Sequence, residues 1–500
     1  MFIRKKKNKS GKTSVQIIDK STGKYKVLKT IGCSSDPEQL ARYCKEGRNW
    51  IKDKLALLEL DFYDEQKQID GLLNNIEQIN IKGTELLIGK IYNEIGFDKI
   101  EEKLLKHLVM SRICFPVSKL KTTEYLYRYH SIEIDVDRIY RYLDKLIKHQ
   151  KERIQQISYE HTLEVLSNNI NILFYDVTTL YFEINKEDEL RKTGFSKEGK
   201  HQNPQIVLGL LVSIEGYPLA YEIFEGHTLI PVIESFKSKY KINSITIIAD
   251  SGLLSSKNIK QLQEKGNDFI LGARIKTETK EIKEEILKLE IKDGQSKIIE
   301  KDNDIRLIIS YSKSRAKKDN KNRQKGLARL EKQIKSGKLT KANINKRGYN
   351  KYLRMEGETK VSIDKDAYQD DAKWDGLKGY YTNTDLSKED VISNYKHLWK
   401  IEKAFRISKT DLRIRPIYHR LEHRIDAHIC ISFMAYKVYK EIERQLKIKG
   451  LIWSPEKAID IAKTIYSIKI ILPLNKGLLD KIILTNKDQK ILIDAFKLIS

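Results

Sequence analysis

The chain has 500 residues, with 94 Lys and Arg against 69 Asp and Glu, a formal net charge of +25 and a pI near 9.4. This length predicts roughly two to four domains with a sizeable core. The charge indicates a polyanionic partner, because clustered Lys and Arg bind phosphate backbones by releasing counterions. An A·T-biased genome would also enrich Lys, Ile and Asn, so the distribution of charge along the chain matters more than its total.

Neither a membrane span nor a secretion signal is expected. No apolar run approaches the roughly 18 residues of a membrane span, and the basic start MFIRKKKNKSGK has no apolar stretch behind it. The four cysteines lie far apart and form no CxxC pair; they are Cys33, Cys44, Cys114 and Cys430. We therefore expect a reduced cytoplasmic protein with no membrane partner and no structural zinc site.

Residues 1–36 are predicted to form a basic β-hairpin, because the β-rich runs TSVQIID and KYKVLKTIG flank the turn sequence KSTGK. In residues 37–165, apolar positions recur every three or four residues, as in VDRIYRYLDKLIKHQKERIQQI, which predicts helices. Such helices could form a DNA-binding arm or could simply pack on their neighbours. Periodicity alone does not distinguish a groove-reading helix from a packed amphipathic one.

Residues 166–278 are predicted to form the first part of a sheet domain. Three β-rich runs, NILFYDVTTLYFE, QIVLGLLVSIEG and YPLAYEIFEG, follow with short connections, and the turn at Glu215 and Gly216 joins the last two as a hairpin. The helix PVIESFKSKY, the strand SITIIAD, a helix in SGLLSSKNIKQLQEKG and the strand NDFILGARIK come next. Three antiparallel strands followed by βαβ units predict an α/β fold, a mixed sheet with flanking helices.

Residues 279–376 are predicted to form a basic, β-rich insertion domain. From Lys313 to Arg354 there are sixteen Lys or Arg and only two acids, Asp319 and Glu331, which indicates nucleic-acid binding. A solvated helix face with a loop is the alternative. Residues 377–440, with the strand GYYTNT and a long helix, are predicted to be the second part of the sheet domain, and residues 441–500 a helical C-terminal region.

Two aspartates on these strands are candidate site residues. Asp176 lies in the middle of NILFYDVTTLYFE, where a carboxylate buried without a partner would cost several kcal/mol. Asp250 ends SITIIAD, so its side chain should lie at the carboxyl edge of the sheet, where α/β proteins commonly bind ligands. Asp is also a common turn and N-cap residue. Two such strands in one domain nevertheless favour a functional site.

A third candidate acid lies in the helix of LSKEDVISNYKHLWKIEKAFRISKTDL. Ser387 followed by Asp390 resembles a capping box, which predicts a helix start near Lys388. At about 100° per residue, one narrow helix face carries four side chains. These are Tyr395, Leu398, Glu402 and Lys409. Glu402 therefore occupies a position that packing would give to an apolar residue.

An ion pair with Lys403 or Arg406 is the structural alternative for Glu402, but both residues are predicted to point elsewhere around the helix. Three carboxylates in a desolvated cleft need cations in order to stay ionised. Oxygen ligands without nearby Cys or clustered His favour Mg²⁺, or Mn²⁺, over Zn²⁺. Two such ions about 3.5–4 Å apart could activate the attacking oxygen and stabilise the leaving oxygen of a displacement at phosphorus.

The motifs FYDVTTLYF, IIADSG and YKHLWKIEKAFRISK together resemble the bacterial insertion-sequence DDE transposases of the YREK group. The resemblance spans the chain, from SGKTSVQIID through GFSKEGKHQNPQIVLGLL to RPIYHRLEHRIDAH. The Y-x2-R-x3-E-x6-K signature of that family matches Tyr395, Glu402 and Lys409, while Leu398 occupies its Arg position. The 152 positions from Asp250 to Glu402 are enough to contain the β-rich insertion that relatives have in this segment.

The resemblance implies a ribonuclease-H-like catalytic core in which Asp176, Asp250 and Glu402 hold the metal ions. It implies an enzyme that binds the terminal inverted repeats of its element, cleaves DNA and joins the 3′-OH ends to target DNA. It also implies double-stranded DNA as partner, a homodimer in the synaptic complex, and a location in the cytoplasm with the nucleoid. The predicted DNA-binding residues are Tyr395, Lys409, Lys197, Lys200, Arg406, Arg315 and Lys317.

Tyr395 could stack on a base or bond the DNA backbone, and Lys409 would bind a phosphate near the cleaved bond. Thr178 shares the predicted face of Asp176 and could orient a ligand, with core packing as the alternative. For His419, His423 and His428, DNA contact or helix packing is favoured over a metal site. Two other functions stay open: a ribonuclease-H-like nuclease without strand transfer, and a catalytically inactive DNA-binding relative.

Overall fold

The structure is a computed structural model of the chain. It describes residues 1–55, 65–168, 170–183, 187–193, 202–224, 230–242, 245–251, 256–301, 304–339, 343–345, 348–356, 360–472 and 477–499. The chain divides into two compact units. One consists of Met1–Glu77 with Lys469–Leu479, and the other of Gln78–Ile468 with Asp480–Ser500.

The first unit contains an antiparallel three-stranded sheet. Its strands are β1 (Phe2–Lys7), β2 (Thr13–Asp19) and β3 (Lys26–Ser34), in that order, and the helices of this unit are α1 (Pro37–Leu55) and α2 (Glu65–Asn74). The helix α1 packs on the sheet, where Val15, Ile17 and Ile18 are buried. The predicted hairpin is β2 with β3. The basic start of the chain adds β1 as a third strand, which the sequence did not predict because its charged residues give no apolar alternation.

Helices dominate the start of the second unit. They are α3 (Gly83–Glu94), α4 (Lys103–Cys114), α5 (Lys119–His130) and α6 (Val136–Val165). The segment 37–165, predicted to be helical, also contains the strand β4 (Ile76–Ile81). That strand pairs with β15 (Tyr466–Ile471), which pairs in turn with β16 (Leu478–Ile483). Partners so distant in sequence leave no local signal of the pairing.

An eight-stranded mixed sheet forms the centre of the second unit. Its strands are β5 (Ile172–Tyr181), β6 (Gln205–Ser213), β7 (Pro218–Phe224), β8 (Thr246–Ala249), β9 (Asp268–Ala273), β10 (Ser296–Lys301), β11 (Ile305–Tyr311) and β14 (Leu377–Thr382). Their spatial order is β10-β11-β14-β9-β8-β5-β6-β7. The strands β5, β6 and β7 pair antiparallel, and β8 runs parallel to both β5 and β9. The mixed sheet predicted for residues 166–278 is therefore present.

Helices cover both faces of this sheet. One face packs a large apolar cluster that includes Phe174, Ile248 and residues of α4, α6, α12 (Lys388–Lys396), α13 (Trp399–Thr410) and α14 (Glu422–Ile448). The other face packs a second cluster with residues of α7 (Ile230–Tyr240), α8 (Ser256–Glu264) and α9 (Lys280–Lys288). Alternate residues of β5 enter the two clusters, as the period of two in a strand requires.

The basic insertion differs from its prediction. Its first strand, β10, pairs with β11, and β11 pairs in turn with β14. The two strands therefore extend the central sheet and do not belong to a separate domain. The remainder consists of α10 (Lys313–Lys335), a 3₁₀ turn (Gly348–Tyr352), β12 (Leu353–Glu356), β13 (Lys360–Ile363) and α11 (Lys365–Ala372). A small cluster around Leu330, Tyr352 and Val361 holds this remainder together.

The C-terminal region, predicted to be mainly helical, contains α15 (Pro455–Lys463) and α16 (Lys487–Phe496) together with the strands β15 and β16. The predicted long helix after β14 is also interrupted at His397 and Leu398, which separates α12 from α13. Among the described helices, none is long and apolar enough to cross a membrane. All four cysteines are free thiols. The six-part division of the chain stays a prediction.

Phe174 provides a test of the core beneath the central sheet. Phe174→Ala should lower the free energy of unfolding by about 3–5 kcal/mol, because it removes a fully buried ring from the large apolar cluster. Urea unfolding followed by circular dichroism would measure the loss. The matched control is Ile298→Ala on β10, where the side chain is 38% exposed and the loss should stay below about 1 kcal/mol. Equal losses in the two variants would contradict the packing described.

Candidate active site

Asp176 lies on β5 and Asp250 directly follows the neighbouring parallel strand β8. In the pairing of β5 with β8, Phe174 is opposite Ile248, and each aspartate follows two positions later. Side chains two positions apart in an extended chain point to the same side. Since Phe174 and Ile248 enter the same apolar cluster, both aspartates belong to that side of the sheet.

The helix pair that carries Glu402 packs on this side of the sheet. The helix α12 contacts β8 and β9, and α13 contacts β5. Ser387 caps α12, because its hydroxyl accepts a hydrogen bond from the Asp390 backbone N–H at 3.1 Å, as the sequence predicted. The side chains of Val391, Tyr395 and Ile401 are buried in the cluster. The fold therefore delivers Glu402 toward the carboxyl ends of the strands that carry the aspartates.

Asp250 and Glu402 line one cleft, with a volume of about 1020 Å³. Tyr395 connects the helix to the strand end, because its hydroxyl donates a hydrogen bond to Asp250 Oδ1 at 3.2 Å. The Ser251 backbone N–H also donates to Asp250 Oδ1, at 2.7 Å. Two donors thus fix the orientation of this carboxylate before any ligand binds.

Asp176 is half-buried, and its Oδ1 accepts a hydrogen bond from the Val177 backbone N–H at 2.8 Å. It is not one of the residues that line the cleft. Among the described residues, no three side chains of His, Cys, Asp or Glu are close enough together to hold a metal ion. The structure thus brings Asp250 and Glu402 to one cleft, with Asp176 on the adjacent strand. The predicted metal triad stays a prediction.

The side chain of Glu402 is exposed, and it makes no ion pair with a described residue. Its neighbour Lys403 pairs instead with Glu443 on α14, so an ion pair between Glu402 and Lys403 is excluded. Leu398, at the signature Arg position, is buried beside the same cleft. An apolar side chain there cannot supply the charge that the signature expects.

Tyr395 is held between the helix and the sheet. The ring is only 5% exposed, and Lys378 Nζ lies 4.3 Å from its centroid. A contact of Tyr395 with a DNA base or with the DNA backbone stays a prediction. Burial, together with the charge of Asp250, raises the pKa of Tyr395, so the phenol stays protonated and can donate to the carboxylate. Its structural role is to orient Asp250.

The close approach of Tyr395 to the sheet requires a glycine on β9. A Cβ atom at Gly272 would lie 2.4 Å from the Tyr395 hydroxyl oxygen and 3.2 Å from the Ser251 backbone nitrogen. Both distances are shorter than ordinary van der Waals contact, so a side chain at position 272 would displace the phenol from Asp250. Gly272 therefore forms part of the site although it carries no functional group.

The other predicted DNA-binding residues are distributed unevenly. Arg315 lines the cleft, with its Nε 3.5 Å from Asp319 Oδ2. Lys317 and Arg406 are exposed but do not line the cleft, and Lys409 is half-buried near the end of α13. Lys197 and Lys200 lie outside the described residues. Thr178 is half-buried on β5, opposite Leu208 of β6.

The histidines after α13 make contacts within the protein. His428 is buried, with Nε2 2.9 Å from the Ile414 carbonyl oxygen and Nδ1 3.4 Å from Arg112 Nη2. Burial, Arg112 and Lys119 hold the pKa of His428 well below its usual range, so the ring is neutral. The exposed His423 contacts Asp144 at 2.9 Å, and His419 packs on the ring of His428. The preference for DNA contact or helix packing over a metal site stays a prediction.

Lys378 is a site residue that the sequence did not predict. It lies on β14, lines the cleft with Asp250 and Glu402, and rests over the rings of Tyr395 and Tyr380. Burial lowers the pKa of Lys378, and Arg315 adds to this effect, while Asp250 and Glu402 oppose it. Lys378 lies within a β-rich run, as Asp176 does, so the sequence carries the same kind of signal for both residues.

Asp371 of α11 links the basic insertion to Lys276 in the wall of the cleft. Its carboxylate accepts hydrogen bonds from Lys276 Nζ at 2.6 Å and from the Tyr352 hydroxyl at 2.5 Å, and it lies 2.9 Å from Lys351 Nζ. Burial acts to raise the pKa of Asp371, but the hydrogen bonds from Lys276, Tyr352 and Lys351 outweigh it and lower the pKa to about 2. A second link joins Arg323 of α10 to Asp375.

Asp371→Asn should therefore destabilise the protein at neutral pH. A carboxyl with a folded pKa of about 2 against a usual value of 3.8 contributes stability above pH 4, and this is lost as the pH falls toward 2. We expect a loss of about 1–2 kcal/mol at pH 7, after allowing for solvent screening, that shrinks toward pH 2. Thermal unfolding from pH 7 to pH 2 would measure it.

The control for this experiment is Asp370→Asn. Its carboxylate is 70% exposed and pairs only with Lys373 at 2.7 Å on the surface, so we expect a change below about 0.5 kcal/mol at every pH. A difference between wild-type protein and Asp371→Asn that stays constant from pH 7 to pH 2 would show that the ionised carboxylate is not what stabilises this wall.

Comparison with known proteins identifies the family. The family model of the transposase DDE domain matches residues 168–437, and no curated protein matches the chain. A solved structure of a piggyBac transposase synaptic complex with hairpin DNA is similar over 76% of this chain and 78% of that chain, with 11% identity and a TM-score of 0.38. Because the family model covers more than half of the chain and includes Asp176, Asp250 and Glu402, the chain belongs to the family of transposases with a DDE domain.

Proposed function

We propose that this protein is the transposase of a bacterial insertion sequence. It would bind the terminal inverted repeats of its element, cleave DNA by phosphoryl transfer and join the 3′-OH ends to target DNA. The observation that supports the proposal is the register of β5 and β8, because Asp176 and Asp250 each follow two positions after the paired, buried Phe174 and Ile248, on whose side of the sheet α13 packs. Membership of the DDE transposase family supports the same assignment.

We further propose that the central sheet is a ribonuclease-H-like core. Three antiparallel strands, β5, β6 and β7, are followed by β8 and β9, which run parallel to β5. One acid lies on the first of these strands and another directly follows the fourth. The third acid arrives on a helix after the insertion, which agrees with the order that the resemblance implies.

The residues present fit a hard divalent cation. The candidate ligands are carboxylates, which suit Mg²⁺ or Mn²⁺ better than Zn²⁺. Asp176, Asp250 and Glu402 would hold the metal, and two bound ions would supply activation of the attacking oxygen and stabilisation of the leaving oxygen. Since no three described acids are yet close enough for ligation, the side chains would need to move together on binding.

The chain's own residues would bind and orient the substrate. Tyr395 and the Ser251 backbone N–H hold one oxygen of Asp250, so its second oxygen is left for a ligand. Lys409 would bind a phosphate near the cleaved bond. Arg315 at the cleft and Lys317 on α10 would contact the DNA backbone, as Arg406, Lys197 and Lys200 would elsewhere.

Double-stranded DNA would be the partner, and two protomers would pair the two element ends. The exposed basic side chains of α10 support a polyanionic partner, because only Arg315 and Arg323 of this helix form ion pairs with described residues. The cytoplasm, in association with the nucleoid, would be the location. The inverted repeats themselves would be found in the DNA that flanks the gene.

Substitution of the three acids tests the catalytic assignment. Asp176→Asn, Asp250→Asn and Glu402→Gln should each lower cleavage at a repeat end by at least about a hundredfold, because loss of a group that supports a metal ligand already costs 10–100-fold. Binding to the repeat duplex should persist. Cleavage of labelled repeat duplex with Mg²⁺, and with EDTA as blank, would be followed on denaturing gels.

Glu389→Gln is the matched control, because Glu389 is an exposed acid at the start of α12 that does not line the cleft. Its cleavage rate should stay within about twofold of wild type. If the wild-type protein shows no metal-dependent nicking of its own element ends, the enzymatic proposal is wrong and a DNA-binding relative without activity is the better description.

Strand transfer distinguishes a transposase from a nuclease that only cuts. A duplex that already ends in the 3′-OH of the repeat should be joined to a supercoiled target plasmid in the presence of Mg²⁺, and Asp250→Asn should abolish the joined product. Recovery of the junction by sequencing would show where the ends inserted. Efficient cleavage without any joined product would favour the nuclease.

A further inference from the structure

Lys378 is held in the cleft by aromatic rings and not by acids. It lies on β14 opposite Ser310 of β11, and the next residue, Gly379, is opposite Ala273 of β9. Its Nζ lies 4.3 Å from the ring centroid of Tyr395 and 5.3 Å from that of Tyr380. Contacts of this kind between an ammonium and aromatic faces fix the position of the charge.

The ammonium of Lys378 has unused hydrogen-bonding capacity. An ammonium has three N–H donors, yet Lys378 donates no hydrogen bond to a described residue and forms no ion pair with one. Half-burial removes part of its hydration, and its pKa is lowered for this reason. A purely structural position over two tyrosine rings would be filled better by an uncharged side chain, because a desolvated charge without an anion is unfavourable.

The charges around Lys378 show which ligand would suit it. Among the acids that line the cleft, Asp250 and Glu402 are near enough to act on the charge of Lys378 without pairing with it. Among its cations, Arg315 and Lys396 act on the same charge. A phosphate that approaches the carboxylates would be repelled by them, and a fixed cation beside them reduces that repulsion.

We propose that Lys378 is a phosphate-binding residue of the cleft, donating from Nζ to an oxygen of the phosphodiester that is cleaved. This inference rests on the proposed function and adds a specific substrate contact to it. Tyr395 then has two roles, since its hydroxyl orients Asp250 while its ring positions Lys378. The buried Leu398 leaves the signature Arg position without charge, and Lys378 supplies a cation to the same cleft from β14.

The test measures whether the contribution of one side chain to DNA binding depends on the charge of one phosphate. The probe is a labelled duplex that runs from the flanking DNA through the tip of the terminal inverted repeat, with either a normal phosphate or an uncharged methylphosphonate at the boundary. Dissociation constants are measured in EDTA for the full-length wild type, Lys378→Met and Lys378→Arg. Methionine keeps an unbranched side chain on the tyrosine rings but has no charge.

In wild type, the methylphosphonate should weaken binding, so its dissociation constant divided by that of the phosphate duplex should exceed one. This ratio should be about tenfold smaller in Lys378→Met, as for the loss of one charge-assisted contact. Lys378→Arg keeps the charge and should keep the wild-type ratio. Lys449→Met is the matched control, because Lys449 is exposed, lies 5.1 Å from the ring of Phe496 and does not line the cleft. Its ratio should equal that of wild type.

An equal ratio in wild type and Lys378→Met would overturn the inference, whatever the variant does to overall affinity. Circular dichroism and thermal unfolding establish that Lys378→Met folds, and Lys378→Gln replaces it in the same comparison if it does not. If wild-type protein binds the repeat duplex no better than a scrambled duplex, the proposed function fails and this inference fails with it. Repeat-specific binding with no coupling to the boundary phosphate overturns the role of Lys378 alone.

Discussion

The parallel pairing of β5 with β8 is the constraint on which the site depends. A strand that slips by one residue turns every side chain to the opposite side of the sheet. Here Phe174 and Ile248 are both fully buried in one cluster, while Leu173 and Ile247 are buried in the other, so burial on both sides opposes a slip. The apolar residues therefore determine where the two polar ones lie. Asp176 and Asp250 each follow two positions after one of the paired residues Phe174 and Ile248.

The helix that carries Glu402 depends on a close approach to the same sheet. Tyr395 reaches Asp250 only because β9 has a glycine at position 272. Its ring then supports Lys378, which comes from the far side of the insertion. Acids and cations from separate elements thus line one cleft. Neutral groups position two of them, since the Tyr395 hydroxyl and the Ser251 backbone N–H hold Asp250 and two tyrosine rings hold Lys378.

Much of the fold could be predicted from local patterns, and the rest depends on pairing between distant segments. The strand β5, the hairpin of β6 with β7 and the Ser387 cap follow from alternation, a turn glycine and a capping residue close in sequence. The strand β1 pairs with the adjacent β2 but lacks apolar alternation, whereas the pairing of β11 with β14 and of β4 with β15 joins segments far apart in the sequence. In the site, Asp250 was predictable as an acid at the end of a strand, and Glu402 as an acid on an apolar helix face. The sequence shows Lys378 as a lysine within a β-rich run, but its place in the cleft follows only from its contacts with Tyr395 and Tyr380.

The acids of the basic insertion explain why its charge remains available. Asp319 accepts a hydrogen bond from the Gly376 backbone N–H at 3.2 Å, and Asp375 pairs with the buried Arg323. Asp371 is engaged with Lys276, Lys351 and Tyr352. Asp371 and Asp375 are thus engaged in links that hold the insertion in place, and Asp319 also pairs with Arg315 of α10. Most lysines of α10 are exposed and form no ion pair with a described residue, so this helix presents a net positive surface, and long-range attraction to a polyanion follows from that arrangement.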